Sequence, residues 1–345
     1  MISDIKLVHF RNFEWKKITD LSEKNFIIWE NGKWKTNILE ALSLLWNNSL
    51  SNLHIENLVE KWQNNFYVEY LDDQIGSVGI SFDKEKKKKS YIINGKNVSK
   101  KKFIETTYKC VIFSPQGMNL FYLSPSLRRE FLDNILLNSY SEYADLLKQY
   151  KKIVTSRNKL LKSIFEWKSQ KTDIIFWDNH FINIAEKIYS YKFPLLNYFR
   201  SHLDTSREYF NGKIDNISLE YNTKVSPENV KQDIQDYLSK NFERDIILWK
   251  TAIWPHVDDF HVLVDGISLV EFASRWETKS VIIWLKMLET VFVEKKTGKK
   301  PILLIDDLMS ELDENHKEML TKKIKYYQTF ISSISQLEEN NNIIL

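Results

Sequence analysis

The chain has 345 residues, enough for one large domain or two ordinary ones, and 43% hydrophobic with 28% charged residues excludes a disordered polymer. Forty-nine Lys and Arg against 46 Asp and Glu leave a net charge of +3, too close to neutral to imply nucleic acid by itself. No apolar run approaches the roughly 20 residues of a membrane span, and one cysteine, Cys110, excludes an internal disulfide framework or a multi-cysteine zinc site.

In chain order, Ile5, Leu7 and Phe10 and then Phe26-Ile27-Ile28 read as strands. Ile38, Leu39, Leu42 and Leu45 have helical spacing, so residues 26 to 47 predict a strand, a polar turn and a helix. Tyr67 to Tyr70, Val78 to Phe82 and Cys110 to Phe113 predict further strands, and Asn94-Gly95 predicts a tight hairpin turn. From Ser126 to Phe199 the pattern is helical, with a turn expected over 167 to 175. Ile214 to Tyr221 reads as a strand and 227 to 243 as helix. His261 to Val264 with an Asp265-Gly266 turn, a helix near 276 to 294 and the strand Pro301 to Ile305 complete the alternation.

Two segments carry chemistry. Pro301-Ile302-Leu303-Leu304-Ile305-Asp306-Asp307 places two carboxylates at the end of an apolar strand, where α/β sheets hold ligands. In P-loop ATPases such a strand supplies an acid for the magnesium shell and, in some, a neighbour that polarises the attacking water. The plain alternative is a strand followed by a turn that begins Asp-Asp. Ser310-Glu311-Leu312-Asp313, at the spacing of an ABC-type D-loop, weakens that alternative. The second segment is Trp29-Glu30-Asn31-Gly32-Lys33-Trp34-Lys35-Thr36-Asn37. The phosphate-loop pattern is Gly, four residues, Gly, Lys, then Ser or Thr. Lys35 and Thr36 fit, but Trp29 and Trp34 hold both glycine positions, where backbone N–H groups must approach phosphate.

The chain resembles the RecF family of bacterial DNA-repair ATPases, related to SMC-type heads, almost from end to end. Phe10-Arg11-Asn12 is similar to the family's opening motif, 31 to 36 occupies its phosphate loop, and Ser114-Pro115-Gln116 resembles its Q-loop segment. Ser124-Pro125-Ser126-Leu127-Arg128-Arg129-Glu130-Phe131-Leu132-Asp133 resembles a distinctive block, and Arg157-Asn158-Lys159-Leu160-Leu161 the helical arm. Thr251 to Asp259 resembles a Gly-Pro-His-x-Asp-Asp block, and Ser274-Arg275-Trp276-Glu277 the Ser-Arg-Gly-Gln signature.

The resemblance implies an α/β fold: an ABC-type P-loop ATPase head with mixed sheets and an inserted helical arm. It implies a head over 1–135 and 246–345, with the arm over 136–245. ATP and Mg2+ are the implied cofactors. With glycine at 29 and 34, residues 29 to 37 would wrap the phosphates, and Arg11 would lie near the nucleotide. Thr36, Asp306 and Gln116 would serve the metal, and Asp307 would orient the attacking water. Ser274 and the backbone at Trp276, with Asp313, would meet ATP bound on the opposite subunit of an ATP-dependent homodimer; a true Trp276 side chain would block that approach, and Glu277 brings charge where the family has Gln. DNA at single-strand gaps, RecR, RecO and RecA loading follow from the same resemblance, as does a weak DNA-stimulated ATPase if glycine stands at 29 and 34. Lys84, Lys86 to Lys89, Lys148, Lys151 and Lys152 are candidate phosphate contacts, with solvated surface as the ordinary reading of each. A cytoplasmic location is expected, with no membrane partner. His256 is expected to be structural or interfacial, and Cys110 to be core.

The departures from the family share one form. Trp29, Trp34, Trp249, Trp254 and Trp276 stand where the family has glycine, as Trp62 is also expected to do. Trp177 matches a family tryptophan, while Trp15, Trp46, Trp167 and Trp284 stay unassigned. Eight glycines against eleven tryptophans invert the usual balance, since a glycine share of about 7% would supply roughly three times as many. UGA codons read as glycine in the source lineage but written as tryptophan would produce this pattern. The alternative is a degenerate, nucleotide-blind DNA-binding scaffold of the same fold.

Overall fold

The computed structural model describes residues 1–28, 34–45, 54–205, 216–253, 255, 257–333 and 341–344. The chain opens with β1 (Ile2–Phe10), β2 (Phe13–Ile18) and β3 (Lys24–Ile28), followed by α1 (Trp34–Leu45). Next come β4 (Asn65–Asp72), β5 (Gly76–Asp83), β6 (Lys88–Ile93), β7 (Lys96–Val98), α2 (Lys100–Thr106) and β8 (Cys110–Phe113). The middle holds α3 (Pro125–Ser139), α4 (Tyr143–Phe165), α5 (Ile174–Arg200), β9 (Ile217–Asn222), α6 (Val230–Lys240) and α7 (Phe242–Leu248). The last part has β10 (Asp259–Val264), β11 (Ile267–Ser268), α8 (Leu269–Phe272), α9 (Arg275–Thr297), β12 (Ile302–Ile305), α10 (Glu314–Ile324), β13 (Thr329–Ser333) and β14 (Asn341–Ile344).

These elements form two compact units, 1–119 with 282–345, and 120–281. They follow spatial contact rather than the motif-based segments read from sequence. The first unit holds two sheets. One is antiparallel, in the order β2-β1-β4-β5-β6-β7. The other is parallel, in the order β14-β3-β13-β12-β8. The period-2 apolar positions of β1 (Ile5, Leu7), the helical stripe of α1 (Ile38, Leu39, Leu42, Leu45) and Ile302 and Leu304 of β12 share one core. Every residue of β12 is buried, as a strand inside a parallel sheet must be, and this is why its sequence is a continuous apolar run. Asn94 and Gly95 both take positive φ in the β6–β7 turn, as a two-residue hairpin requires.

The second unit is mainly helical, with the antiparallel sheet β11-β10-β9. Helices α4 and α5 pack together as the expected helical hairpin. The block around residues 251 to 259 fastens this unit. Asp258 Oδ2 accepts from the hydroxyls of Tyr189 (2.7 Å), Tyr221 (3.0 Å) and Thr223 (3.0 Å), and Asp259 takes a bidentate pair from Arg128 at 2.8 and 2.7 Å. Burial raises the Asp258 carboxyl above the usual range despite these donors. Trp254 and His256 of the same block lie outside the described residues.

Candidate functional site

Four strand ends meet at the carboxyl edge of the parallel sheet. β3 ends at Ile28 before the phosphate-loop segment, β8 at Phe113 before Gln116, and β12 at Ile305 before Asp306. Ile305 pairs with Phe113 on one side and Ile331 on the other, while Ser333 pairs with Ile28. So β13 lies between the phosphate-loop strand and the Asp306 strand, and its Ser332 is delivered to the same edge. Such an edge is the ordinary ligand position of an α/β sheet.

Residues 29 to 33 (Trp29, Glu30, Asn31, Gly32 and Lys33) and the side chain of Trp34 lie outside the described residues. The first turn of α1 is described. There Lys35 is buried, with Nζ 3.5 Å from Asp307 Oδ1. Thr36 donates its hydroxyl to Asp306 Oδ1 at 3.3 Å. Asn37 Nδ2 donates to Asn12 Oδ1 at 2.6 Å, tying the β1–β2 turn to the helix. Arg11, at φ +58, sends Nε and Nη2 to Glu40 Oε2, both at 2.7 Å, and Nη1 to the Asn57 carbonyl. Arg11 is therefore fastened to the second turn of α1.

Asp306 and Asp307 differ in setting. Burial is the main influence on Asp306 and raises its carboxyl above the usual range, helped by the neighbouring charge of Asp307. The Ser332 hydroxyl donates to Asp306 at 3.0 Å and accepts the Asp307 backbone N–H at 2.7 Å. Asp307 adopts φ +45, which aspartate tolerates better than most residues, and its side chain is partly exposed beside Lys35. Gln116 is exposed in the turn after β8. Asp313 caps α10 by accepting the His316 N–H at 2.9 Å. That N–H is the main cause of its lowered pKa, with the imidazole also bonded to the same oxygen.

Thus Lys35, Thr36, Asp306 and Asp307, read from segments 270 residues apart, come together, with Ser332 added. Ser332 and Glu40 were not legible in the sequence: serine in a short strand and glutamate on a helix carry no motif. The Thr36 hydroxyl and Asp306 carboxylate are hard oxygen donors in contact, a pair suited to Mg2+, which keeps waters and phosphate oxygens as its other ligands. No cluster of three or more His, Cys, Asp or Glu suited to a metal occurs among the described residues.

Ser274 and Trp276 belong to the second unit. Ser274 donates its N–H (2.8 Å) and hydroxyl (2.7 Å) to Glu277 Oε2, and the Glu277 N–H returns to Ser274 Oγ at 3.3 Å. This reciprocal arrangement is a capping box at the start of α9. Trp276 is exposed, with Lys279 Nζ 5.1 Å from its ring centre.

The sequence is 31% identical over 342 residues to the DNA replication and repair protein RecF of Thermoanaerobacter sp. (strain X514), covering 96% of this chain and 93% of that one. The chain belongs to the RecF family. The RecF of Streptococcus pyogenes serotype M5 (strain Manfredo) is 28% identical over 360 residues, covering 99% and 95%. Two solved structures agree with this fold. The recombination mediator protein RecF-ATPrS in the RecFOR pathway has a TM-score of 0.91 and 25% identity, covering 100% of this chain and 96% of that one. The RecF-ATP structure of the same pathway has a TM-score of 0.87 and 26% identity, covering 98% and 93%. No protein-family model matches the sequence. This RecF-like chain is therefore a DNA replication and repair protein built on an ABC-type ATPase head. Among the described residues, no helix is long and apolar enough to cross a membrane.

Proposed function

We propose that this RecF-family chain binds ATP with Mg2+ at the Lys35–Asp307 edge and dimerises on ATP. In that state it binds DNA at single-strand gaps, where with RecO and RecR it aids RecA loading. The observation that carries the reading is the convergence of Lys35, Thr36, Asp306, Asp307 and Ser332. The related structures named RecF-ATP and RecF-ATPrS support nucleotide as the ligand.

The residues divide the work. Lys35 gives its ammonium to the β- and γ-phosphates, which releases Asp307 from its present contact. Asp307 then orients the attacking water, and Ser332 holds the Asp307 backbone and the Asp306 carboxylate in register. Thr36 and Asp306 hold Mg2+, which neutralises charge on the phosphate oxygens when bound. Gln116 would contact the same metal or that water. Ser274 and position 276 contact ATP on the opposite subunit, with Asp313 across the same interface. Two composite sites arise in one symmetric dimer, and with glycine at 29 and 34 hydrolysis is weak and DNA-stimulated.

A second reading, the nucleotide-blind scaffold, is favoured by Ser274, whose N–H and hydroxyl are both engaged by Glu277. Analytical ultracentrifugation with and without ATP on gapped duplex DNA separates the two. The chain with glycine at 29, 34 and 276 should dimerise with ATP, and Lys35→Ala should remain monomeric. A nucleotide-independent state in both would leave only the scaffold reading.

A further inference from the structure

Three tryptophans occupy backbone positions that favour glycine. Trp167 has φ +59 and follows α4. Its N–H bonds the Ile164 carbonyl at 3.0 Å, and the next N–H, of Lys168, bonds the Ser163 carbonyl at 2.8 Å. That bond pair is the Schellman motif, with Trp167 at its left-handed position, ordinarily glycine. Trp249 repeats the motif after α7. It has φ +52, with bonds from Trp249 N to Ile246 O (3.3 Å) and from Lys250 N to Asp245 O (3.1 Å). Trp62, at φ +70, is the third residue of a turn closed by Gln63 N to Glu60 O at 3.2 Å, the glycine position of a type II turn. The chain uses glycine itself for such work: Gly298, at φ +69, closes α9.

Packing gives these indoles little reason to be there. Trp62 is 99% exposed and Trp167 is 93% exposed. Trp249, 42% exposed, meets the exposed ring of Phe165 at 5.6 Å and lies under Lys162 Nζ at 5.1 Å, a contact confined to surface groups. Trp284 is the contrast. It lies inside helix α9, is 1% exposed and fills core volume. A left-handed φ is uncommon for any non-glycine residue and a genuine outlier for a bulky one, and three tryptophans share it here.

We infer that Trp62, Trp167 and Trp249 mark glycine codons, and that the native chain carries glycine at 62, 167 and 249. By the same decoding it carries glycine at 29, 34 and 276, which restores a phosphate loop able to take a nucleoside triphosphate. The backbone at 62, 167 and 249 carries the first part without reference to any relative. The extension to 29, 34 and 276 rests on the nucleotide reading above.

The test reads the codons in the gene and the peptide masses in protein from the native host. UGA codons and glycine masses are expected at 62, 167 and 249, with UGG and tryptophan at 284. Tryptophan masses at the first three, or glycine at 284, overturn the inference. In the chain as written, Trp62→Gly and Trp167→Gly should each raise Tm by about 1–3 °C, and a fall in both counts against it. Glycine at the three positions in a chain that binds no ATP would fail the nucleotide reading and leave this one standing.

Discussion

Asp306 carries a carboxyl that burial makes reluctant to ionise. Its folded pKa lies above the unfolded value, so the folded state holds the proton more tightly. The stability this contributes is present at low pH and is lost as pH rises through the interval between the two pKa values. Asp306→Asn removes that loss. The stability difference, variant minus parent, should therefore grow as pH rises from about 4 (the unfolded carboxyl,) and then level off above the folded pKa. Thermal unfolding of the nucleotide-free chain across that range measures it, and a difference independent of pH would contradict the assignment. The same variant should lose Mg2+-dependent nucleotide binding, because the metal needs the carboxylate. In the parent, that affinity should rise with pH through the elevated pKa.

Helices α4, α5 and α7 depend on one buried guanidinium. Arg157 is fully buried, donating Nε to Asp178 at 2.6 Å and Nη1 to Asp245 at 2.9 Å and to the Thr251 hydroxyl. Asn158 Oδ1 accepts both the N–H and the hydroxyl of Thr251. Burial outweighs Arg157 at Asp245 and raises its pKa. Truncation would leave that carboxylate buried without its cation. Arg157→Ala should therefore cost about 3–5 kcal/mol in denaturant unfolding. Arg157→Lys should recover only part of this, since an ammonium lacks the planar fork that reaches Asp178 and Asp245 together. In sequence, Arg157-Asn158 was legible only as part of an arm block. The periodicity showed the helix, but the partners lie 21 and 88 residues away.

At the scale of the whole molecule, a net charge of +3 gives no uniform attraction to DNA, so the proposed DNA binding would have to draw on local lysines. The hairpin lysines are partly committed. Lys86 lies 3.4 Å from Asp83 and Lys87 4.0 Å from Glu56, and burial, with the charge of Lys100, pulls Lys89 down to about 8. Lys148 on α4 pairs with Asp145 at 3.1 Å, whereas Lys151 and Lys152 are exposed on the same helix. Replacing both with Ala should lower the slope of log affinity against log salt by roughly 1–2. Fluorescence anisotropy on gapped DNA across a salt series checks this, and an unchanged slope would remove the α4 face from the DNA surface.

The sequence alone determined the elements whose signal is local. Period-2 spacing marked β1, helical spacing α1 and continuous apolar runs β3 and β12, Asn94-Gly95 marked its hairpin, and Lys35, Thr36, Asp306 and Asp307 stood in readable blocks. Strands β2 and β13 escaped notice because charged or serine-rich short strands carry little apolar pattern. Tertiary structure alone decided that β13 inserts between the phosphate-loop strand and the Asp306 strand, which brings Ser332 to both carboxylates. It alone showed that Glu40 anchors Arg11 and that three tryptophans adopt a left-handed backbone. Local periodicity follows from the geometry of a single element. Strand order, register and φ at a turn are set by packing between residues far apart in the chain, where no spacing rule records them.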